Sequence, residues 1–306
     1  MFFVIITGLS LGFLLSLSLA PFWNIVSVAL FAYMTFITSL ETNVKEFIHV
    51  LAKPSINLWI IFLVHVVMPL IAFGAGWLFY PHDPYLRLGL LISALIPIGI
   101  TSIIWTSIVG GDIALAFVAV ILDTLAGPIL LAATIALATS ETIHLDYANM
   151  LTGLMLMVTI PSFLGMAVNG WTGGALTEFA KSGGGFSSKL ALVLIIFINS
   201  SAISHEITWA LPLLKLLLVI LLLTITGYTL GWLGALLIPN CQRNTMVTMV
   251  YNVGMRNISF GSVLAITYFP AVVAVPITLA MFYQQPMAAL AAYLLNKTKI
   301  ADKPGK

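Results

Sequence analysis

Apolar runs alternate with short polar interruptions from one end of the chain to the other. They lie at about 2–20, 23–40, 57–79, 88–108, 113–138, 149–168, 189–207, 211–237, 245–266 and 271–295. Each is close to or longer than the ~20 residues that a helix needs to cross the hydrocarbon core of a bilayer. Ten transmembrane helices are therefore predicted, in an all-α polytopic membrane protein. The interruptions carry turn chemistry, as in Pro81-His82-Asp83-Pro84 and in the Gly- and Ser-rich stretch 170–188, which reads as a linker. No segment has the composition of a soluble domain, so 1–306 is expected to form a single membrane domain.

Two of the runs are themselves interrupted. In the ninth, Tyr251-Asn252-Val253-Gly254-Met255-Arg256-Asn257-Ile258-Ser259-Phe260-Gly261 collects two amides, a guanidinium and two glycines between apolar neighbours. A cation near the bilayer centre costs about 2.5–3.5 kcal/mol on insertion scales. Glycine lets the backbone leave helical geometry, and unwound backbone at membrane depth is tolerated only where it is buried or lines a cavity. The stretch predicts a broken helix, hinged at Gly254, with its polar groups aimed inward. The fourth run has a comparable break at Pro97-Ile98-Gly99, followed by Thr101, Ser102, Thr106 and Ser107. Counted in fives, the fourth and ninth spans occupy matching positions. Five is odd, so the second half would enter the membrane from the opposite side. The pattern predicts two five-helix inverted repeats, 1–140 and 146–296, with a tail at 297–306. Paired broken helices at such an interface are how many secondary transporters build a binding site.

Composition narrows the class further. The chain is 61% hydrophobic and only 7% charged, too few charges to cover a soluble core of this size. A single cysteine, Cys241, excludes an internal disulfide framework and any cysteine-based metal cluster. The N-terminal run lacks the basic start of a signal peptide and is expected to remain as the first span. With the N-terminus placed in the cytoplasm, the cytoplasmic segments receive Lys45, Lys53, Lys181, Lys189, Arg243, Lys297, Lys299, Lys303 and Lys306, and the opposite side only Arg87. That bias predicts cytoplasmic termini in the plasma membrane, the inner membrane if the source is bacterial. The basic tail suits an anionic leaflet. Lys215 and Arg256 fall inside spans.

Arg256 is the sharpest chemical feature. It is either a buried ion-pair or helix-capping group, or a fixed cation at a transport site. Thr101, Ser102 and Asn257 flank the breaks. Hydroxyls and amides in membrane helices often bond only to backbone or to neighbouring helices, but the adjacent breaks favour a lining role. Gln284 and Gln285, before Pro286, are weaker candidates of the same kind. His65, in the third span, reads as a packing residue. Asn199, Ser200, Ser201 and Ser204 in the seventh either line a cavity or bridge helices. No His and carboxylate spacing suits a metal, no glycine loop suits a phosphate, and no nucleophile–base–orienter set is visible. An enzyme is not expected, nor a cofactor, nor a nucleic-acid partner.

Four places in order carry a resemblance: 31–47, ending Thr42-Asn43-Val44-Lys45-Glu46-Phe47; Lys53-Pro54 with Val67-Met68-Pro69; 97–102 with Gly111-Asp112-Ile113-Ala114-Leu115; and Val253-Gly254-Met255 with Asn257. On these the chain resembles the bile acid:sodium symporter family, as a bacterial homologue with its sodium-site residues substituted. The resemblance implies a panel domain beside a core domain, helices 4 and 9 crossing in the core, two sodium sites behind the crossing, and an organic anion moved by alternating access. Several positions depart from the family pattern. Asn252 replaces its Glu and Arg256 its Gln. Ile103 follows Ser102 where the family has Asn. Ala116 and Val120 stand where it has hydroxyls, and Gln284-Gln285 where it often has His-Asn. By the same resemblance, two sodium ions beside one Glu carry a net charge of +1, and Asn252 beside Arg256 carries +1 without an ion. Asp123 shares a helical face with Ala116 and Val120 at i+7 and i+3, which turns it to the same interior. It would serve as partner to Arg256, as a proton carrier, or as a helix-end residue.

The expected function is secondary active transport of a small organic anion through the lipid bilayer, sodium-independent or proton-coupled. Na+ is not expected as a partner, whereas H+ is a candidate. Arg256 would supply fixed charge, and Ser102, Asn252 and Asn257 hydrogen bonds. The alternatives are an auxin-efflux-carrier-like permease, or a non-transporting sensor or binding protein on the same fold.

Overall fold

The computed structural model describes residues 2–17, 22–41, 54–139, 146–207 and 211–297. Among these, all regular elements are helical, and β geometry is confined to one isolated bridge. The helices are α1 (Phe2–Leu15), α2 (Phe22–Ser39), α3 (Pro54–Phe62), α4 (Met68–Phe79), α5 (Pro84–Leu95), α6 (Thr101–Val109), α7 (Ile113–Thr139), α8 (Tyr147–Leu154), α9 (Ile160–Trp171), α10 (Gly185–Ser204), α11 (Leu211–Leu236), α12 (Arg243–Gly254), α13 (Ile258–Tyr268), α14 (Ala271–Leu279) and α15 (Met281–Lys297). The motif 42–47, Lys53, and the tail residues Lys299, Lys303 and Lys306 lie outside the described residues.

Among the described residues, seven helical stretches are long and apolar enough to cross a membrane by themselves, from Phe22–Ser39 to Ala271–Lys297. Three shorter apolar helices, Ile5–Leu15, Pro84–Leu95 and Ile258–Tyr268, fall below that length. The count differs from ten for a physical reason. The fourth and ninth runs are each split in two, so neither half reaches the span length. The first run is also shorter than its apolar stretch: its helix stops at Leu15, and Ser16 adopts a left-handed φ of 42°.

Two helices carry a π-turn ahead of a proline. Leu63–Val67 joins α3 to α4 before Pro69, and Met155–Thr159 joins α8 to α9 before Pro161. Proline offers no N–H and clashes with the carbonyl four residues back. Widening the turn relieves that clash and re-aims the side chains within it, His65 among them. Residues 170–188 are not the linker expected. A short turn leads into helix from Thr177 onward, through a π-turn at Ala180–Gly184. Ala180 is buried there, and a Cβ on Gly184 would lie 2.8 Å from Ile37 Cγ2. The small residues let this turn seat against α2.

The outer surface is apolar. Leu14, Ile25, Leu70, Leu78, Ile108 and Leu137 are all exposed, while Ser102, Thr106, Asp123, Asn252 and Arg256 are buried. A water-soluble protein distributes these the other way round, and lipid is the solvent that suits the arrangement.

Packing divides the helices into two groups. One contains α1, α2, α8–α9 and α10. In it α1 lies along α10, and Gly8 and Gly12 permit the approach: a Cβ on Gly12 would sit 2.4 Å from Ser200 Cβ. Small residues four apart are a common membrane interface. Ser16 and Ser204 share a hydrogen bond of 2.7 Å beside it. In the other group α11 pairs with α12, α5 with α4 and α14, and α6 and α7 with α12. α13 and α14 also touch α10, joining the two groups.

Candidate functional site

The two split runs meet. Residues 96–100 between α5 and α6, and 255–257 between α12 and α13, run antiparallel as an isolated bridge from Ile98 to Arg256. Gly99 N–H donates to Met255 O at 3.0 Å, and Asn257 N–H to Pro97 O at 2.7 Å. Unpaired backbone at this depth costs several kcal/mol per group, so the remaining donors show what holds the crossing. Ile98 N–H donates to Asp123 Oδ2, and Arg256 N–H to Gln284 Oε1 at 3.0 Å. Met255 N–H returns to Tyr251 O, the last bond of α12. α7 and α15 thus each lend one side chain to the break.

Sequence explains the geometry at each point. Pro97 has no N–H to lose, and a Cβ on Gly99 would lie 2.8 Å from Arg256 O, so only glycine fits against that carbonyl. Gly261 plays the same part from α13, since its Cβ would meet Ile96 Cγ2 at 2.6 Å. Gly254 is not the contact at the crossing. It ends α12, and its Cβ would strike the Tyr228 ring of α11 at 2.6 Å. The chain leaves helical geometry one residue later, where Met255 is extended (φ −107°, ψ 125°). Asn257 then caps α13, its Oδ1 accepting from Phe260 N–H at 3.3 Å.

Arg256 lies at the centre with 7% of its surface exposed. Both terminal guanidinium nitrogens, Nη1 and Nη2, are buried without a hydrogen-bond partner among the described residues. Beside it is a cavity of about 40 Å³ whose lining includes Met68, Ser93, Thr224, Val253 and Gln284. That is room for small polar groups or more than one water. A guanidinium offers five donors in a fixed fork and does not deprotonate in practice. Here its two terminal nitrogens are buried donors with no acceptor among the described residues.

Asp123 is the opposite charge nearby, but it makes no direct hydrogen bond or close ion pair with the Arg256 guanidinium. Its Oδ1 is bonded to His65 Nε2 and its Oδ2 to Ile98 N–H. Nor is it a helix-end residue, since it sits inside α7 and is fully buried. His65 is therefore the residue that sequence reasoning placed in packing and the structure places at the crossing. A histidine two residues ahead of Val67-Met68-Pro69 was the available signal, because a proline-induced π-turn turns a side chain off the regular helical face.

The other candidates divide. Gln284 belongs to the crossing through Arg256, whereas Gln285 faces α6 and accepts from Trp105 Nε1 at 2.9 Å. Thr101 opens α6 and is half-buried. Ser102 and Asn252 lie among α6, α7 and α12. Asn252 Nδ2 donates to Ala116 O at 3.4 Å, while its Oδ1 and the Ser102 and Thr106 hydroxyls are buried without partners among the described residues. Asn199 and Ser200 on α10 are likewise buried and unpartnered, in the other helix group. Among the described residues no cluster of three or more His, Cys, Asp or Glu side chains could hold a metal ion.

Residues 19–299 match the sequence profile of the SBF-like CPA transporter family. The chain is also 36% identical over 296 residues to the Bacillus subtilis (strain 168) protein titled "Uncharacterized protein YbaS", covering 96% of each. The chain belongs to the SBF-like CPA transporter family, a family related to the bile acid:sodium symporters, and is a multi-pass membrane transporter.

Proposed function

We propose that this member of the SBF-like CPA transporter family carries a small organic anion by alternating access, without sodium and coupled to protons. The observation that carries this reading is Arg256: a permanent cation, buried, with both terminal nitrogens unbonded, at the crossing of two broken helices and beside a cavity. Its Coulomb field and its two free N–H edges suit a carboxylate or a comparable oxyanion. The surrounding aliphatic lining suits the rest of a small organic molecule.

The wider plan follows from the same features. The ten runs form two inverted repeats, 1–140 and 146–296, with the breaks in equivalent helices. The group α1, α2, α8–α9 and α10 acts as a panel, and the rest is a core that moves against it. The charge bias sets both termini in the cytoplasm. A cysteine introduced after Lys303 is expected to resist an impermeant thiol reagent in intact cells. Ready labelling would invert the topology.

Independence from sodium follows from the oxygen inventory. A sodium ion leaves water only if the protein returns comparable contacts. Ile103, Ala116 and Val120 have no side-chain oxygen, and the Asn252 amide turns a donor toward Ala116 O. A second cation about 4 Å from Arg256 would be repelled by roughly 4 kcal/mol at an effective dielectric of 20. That is about a thousandfold in affinity. The test is uptake of radiolabelled small carboxylates into proteoliposomes with sodium or choline outside, at matched pH and potential. Equal uptake in both is expected. A steep sodium dependence would show that the unpartnered oxygens of Ser102, Thr106 and Asn252 rebuild a cation site.

A further inference from the structure

We infer that Nδ1 of His65 is the atom that carries the coupled proton, one for each monovalent anion held at Arg256, with Asp123 as its fixed counter-ion. This rests on the transporter reading above and names its proton site. Both Asp123 carboxylate oxygens are engaged, Oδ1 with His65 Nε2 and Oδ2 as acceptor from Ile98 N–H, and as a fixed counter-ion Asp123 is ionised and accepts at both. The imidazole therefore presents Nε2–H to the carboxylate, and Nδ1 is left as the atom that gains or loses a proton. Nδ1 is buried and has no partner among the described residues. A ring nitrogen in that condition, at the end of a charge pair, is either an idle cost or a proton site.

Charge counting favours the second. With Nδ1 bare, the ring is neutral and Arg256 and Asp123 cancel. A proton on Nδ1 leaves a net charge of +1, and a monovalent anion at Arg256 returns the core to zero. Net charge in a low-dielectric interior is unfavourable. Anion and proton therefore enter together more readily than either alone, and the linkage is reciprocal. Asp123 also grips Ile98 N–H, which stands opposite Arg256 in the bridge, so the pair touches the crossing through one residue. Other ionisable groups near the Leu63–Val67 turn are few. α3 and α4 carry none, and α7 carries only Asp123. α5 carries Tyr85 and Arg87, the latter bound to Pro81 O at the outer end. α11 carries Lys215, bound to Phe79 O at its own outer end, and Tyr228, bound to Gln284 O.

The full chain with 15N-labelled histidine, in lipid nanodiscs, gives a readout that needs no substrate. The His65 signal, assigned by its loss in His65→Gln, is expected to show both the neutral Nε2–H tautomer and the imidazolium over the pH range in which the protein stays folded. A single protonation state throughout overturns the inference. In proteoliposomes, radiolabelled 2-hydroxyethanesulfonate, pyruvate and benzoate are tested with protein-free liposomes as baseline. An inward acid gradient is expected to concentrate the transported anion, with one proton entering per anion, and His65→Gln to equilibrate it without concentrating it. Uptake indifferent to the gradient overturns the proton site but leaves the transporter standing. Coupling retained in His65→Gln and lost in Asp123→Asn would make the carboxylate the carrier instead. Absence of uptake for all three anions counts against the organic-anion reading on which the proton site rests.

Discussion

The two breaks that meet at the crossing are built from different materials. In the first, Pro97 and Gly99 do the work through the backbone: one has no N–H, and the other has no Cβ to strike Arg256 O. Its central residue is Ile98, an apolar side chain whose amide is held from outside by Asp123. In the second, Met255, Arg256 and Asn257 all carry side chains, and the break is held by side-chain chemistry: an Asn cap on α13 and Gln284 on the Arg256 amide. The first break is thus a passive groove, and the second carries the charge. A crossing built this way needs only one of its two helices to specify a ligand.

The largest test of that asymmetry is Arg256→Gln. Losing the charge and its bonds to a bound anion is expected to lower transport about a hundredfold, since each charged hydrogen bond is worth roughly 1.5–3 kcal/mol. Wild-type uptake by this variant would mean that the second break is as passive as the first.

Next in size are the glycines. Gly99→Ala places a Cβ against backbone and is expected to cost about 1–3 kcal/mol and most of the activity, with no second-site rescue on a side chain. Gly254→Leu is expected to insert in the membrane but not transport, because it strikes Tyr228. Gly254→Ala should be partly restored by Tyr228→Ala, as its obstacle is a ring and not a main chain. Rescue of Gly99→Ala, or near-normal transport by Gly254→Leu, would contradict these contacts. Thermal unfolding in detergent and proteoliposome uptake read the two effects separately.

Smallest is Asn257→Ala. Removing an N-cap typically costs about 1 kcal/mol, so a modest loss of stability with transport reduced less than tenfold is expected. A collapse of transport would assign Asn257 to the anion and not to the cap of α13.

Local composition set the membrane class, because apolar runs of span length have no other solvent in which to be stable. It also marked both breaks, since Pro97, Gly99 and the polar cluster around Arg256 each contradict a continuous helix. What it could not reach was pairing across sequence distance. His65 and Asp123 are 58 residues apart and Arg256 and Gln284 are 28 apart; nothing in a linear pattern says which buried donor faces which acceptor. Gly254 illustrates the same limit. Its lack of a side chain was legible, but whether Tyr228 or the fourth span filled the vacated space was not. That depended on how α11 packs against α12. Tertiary structure likewise decided that Asp123 bonds His65 and Ile98 N–H, leaving the Arg256 terminal nitrogens without a hydrogen-bond partner among the described residues, because packing and not acceptor capacity sets which donor reaches the carboxylate.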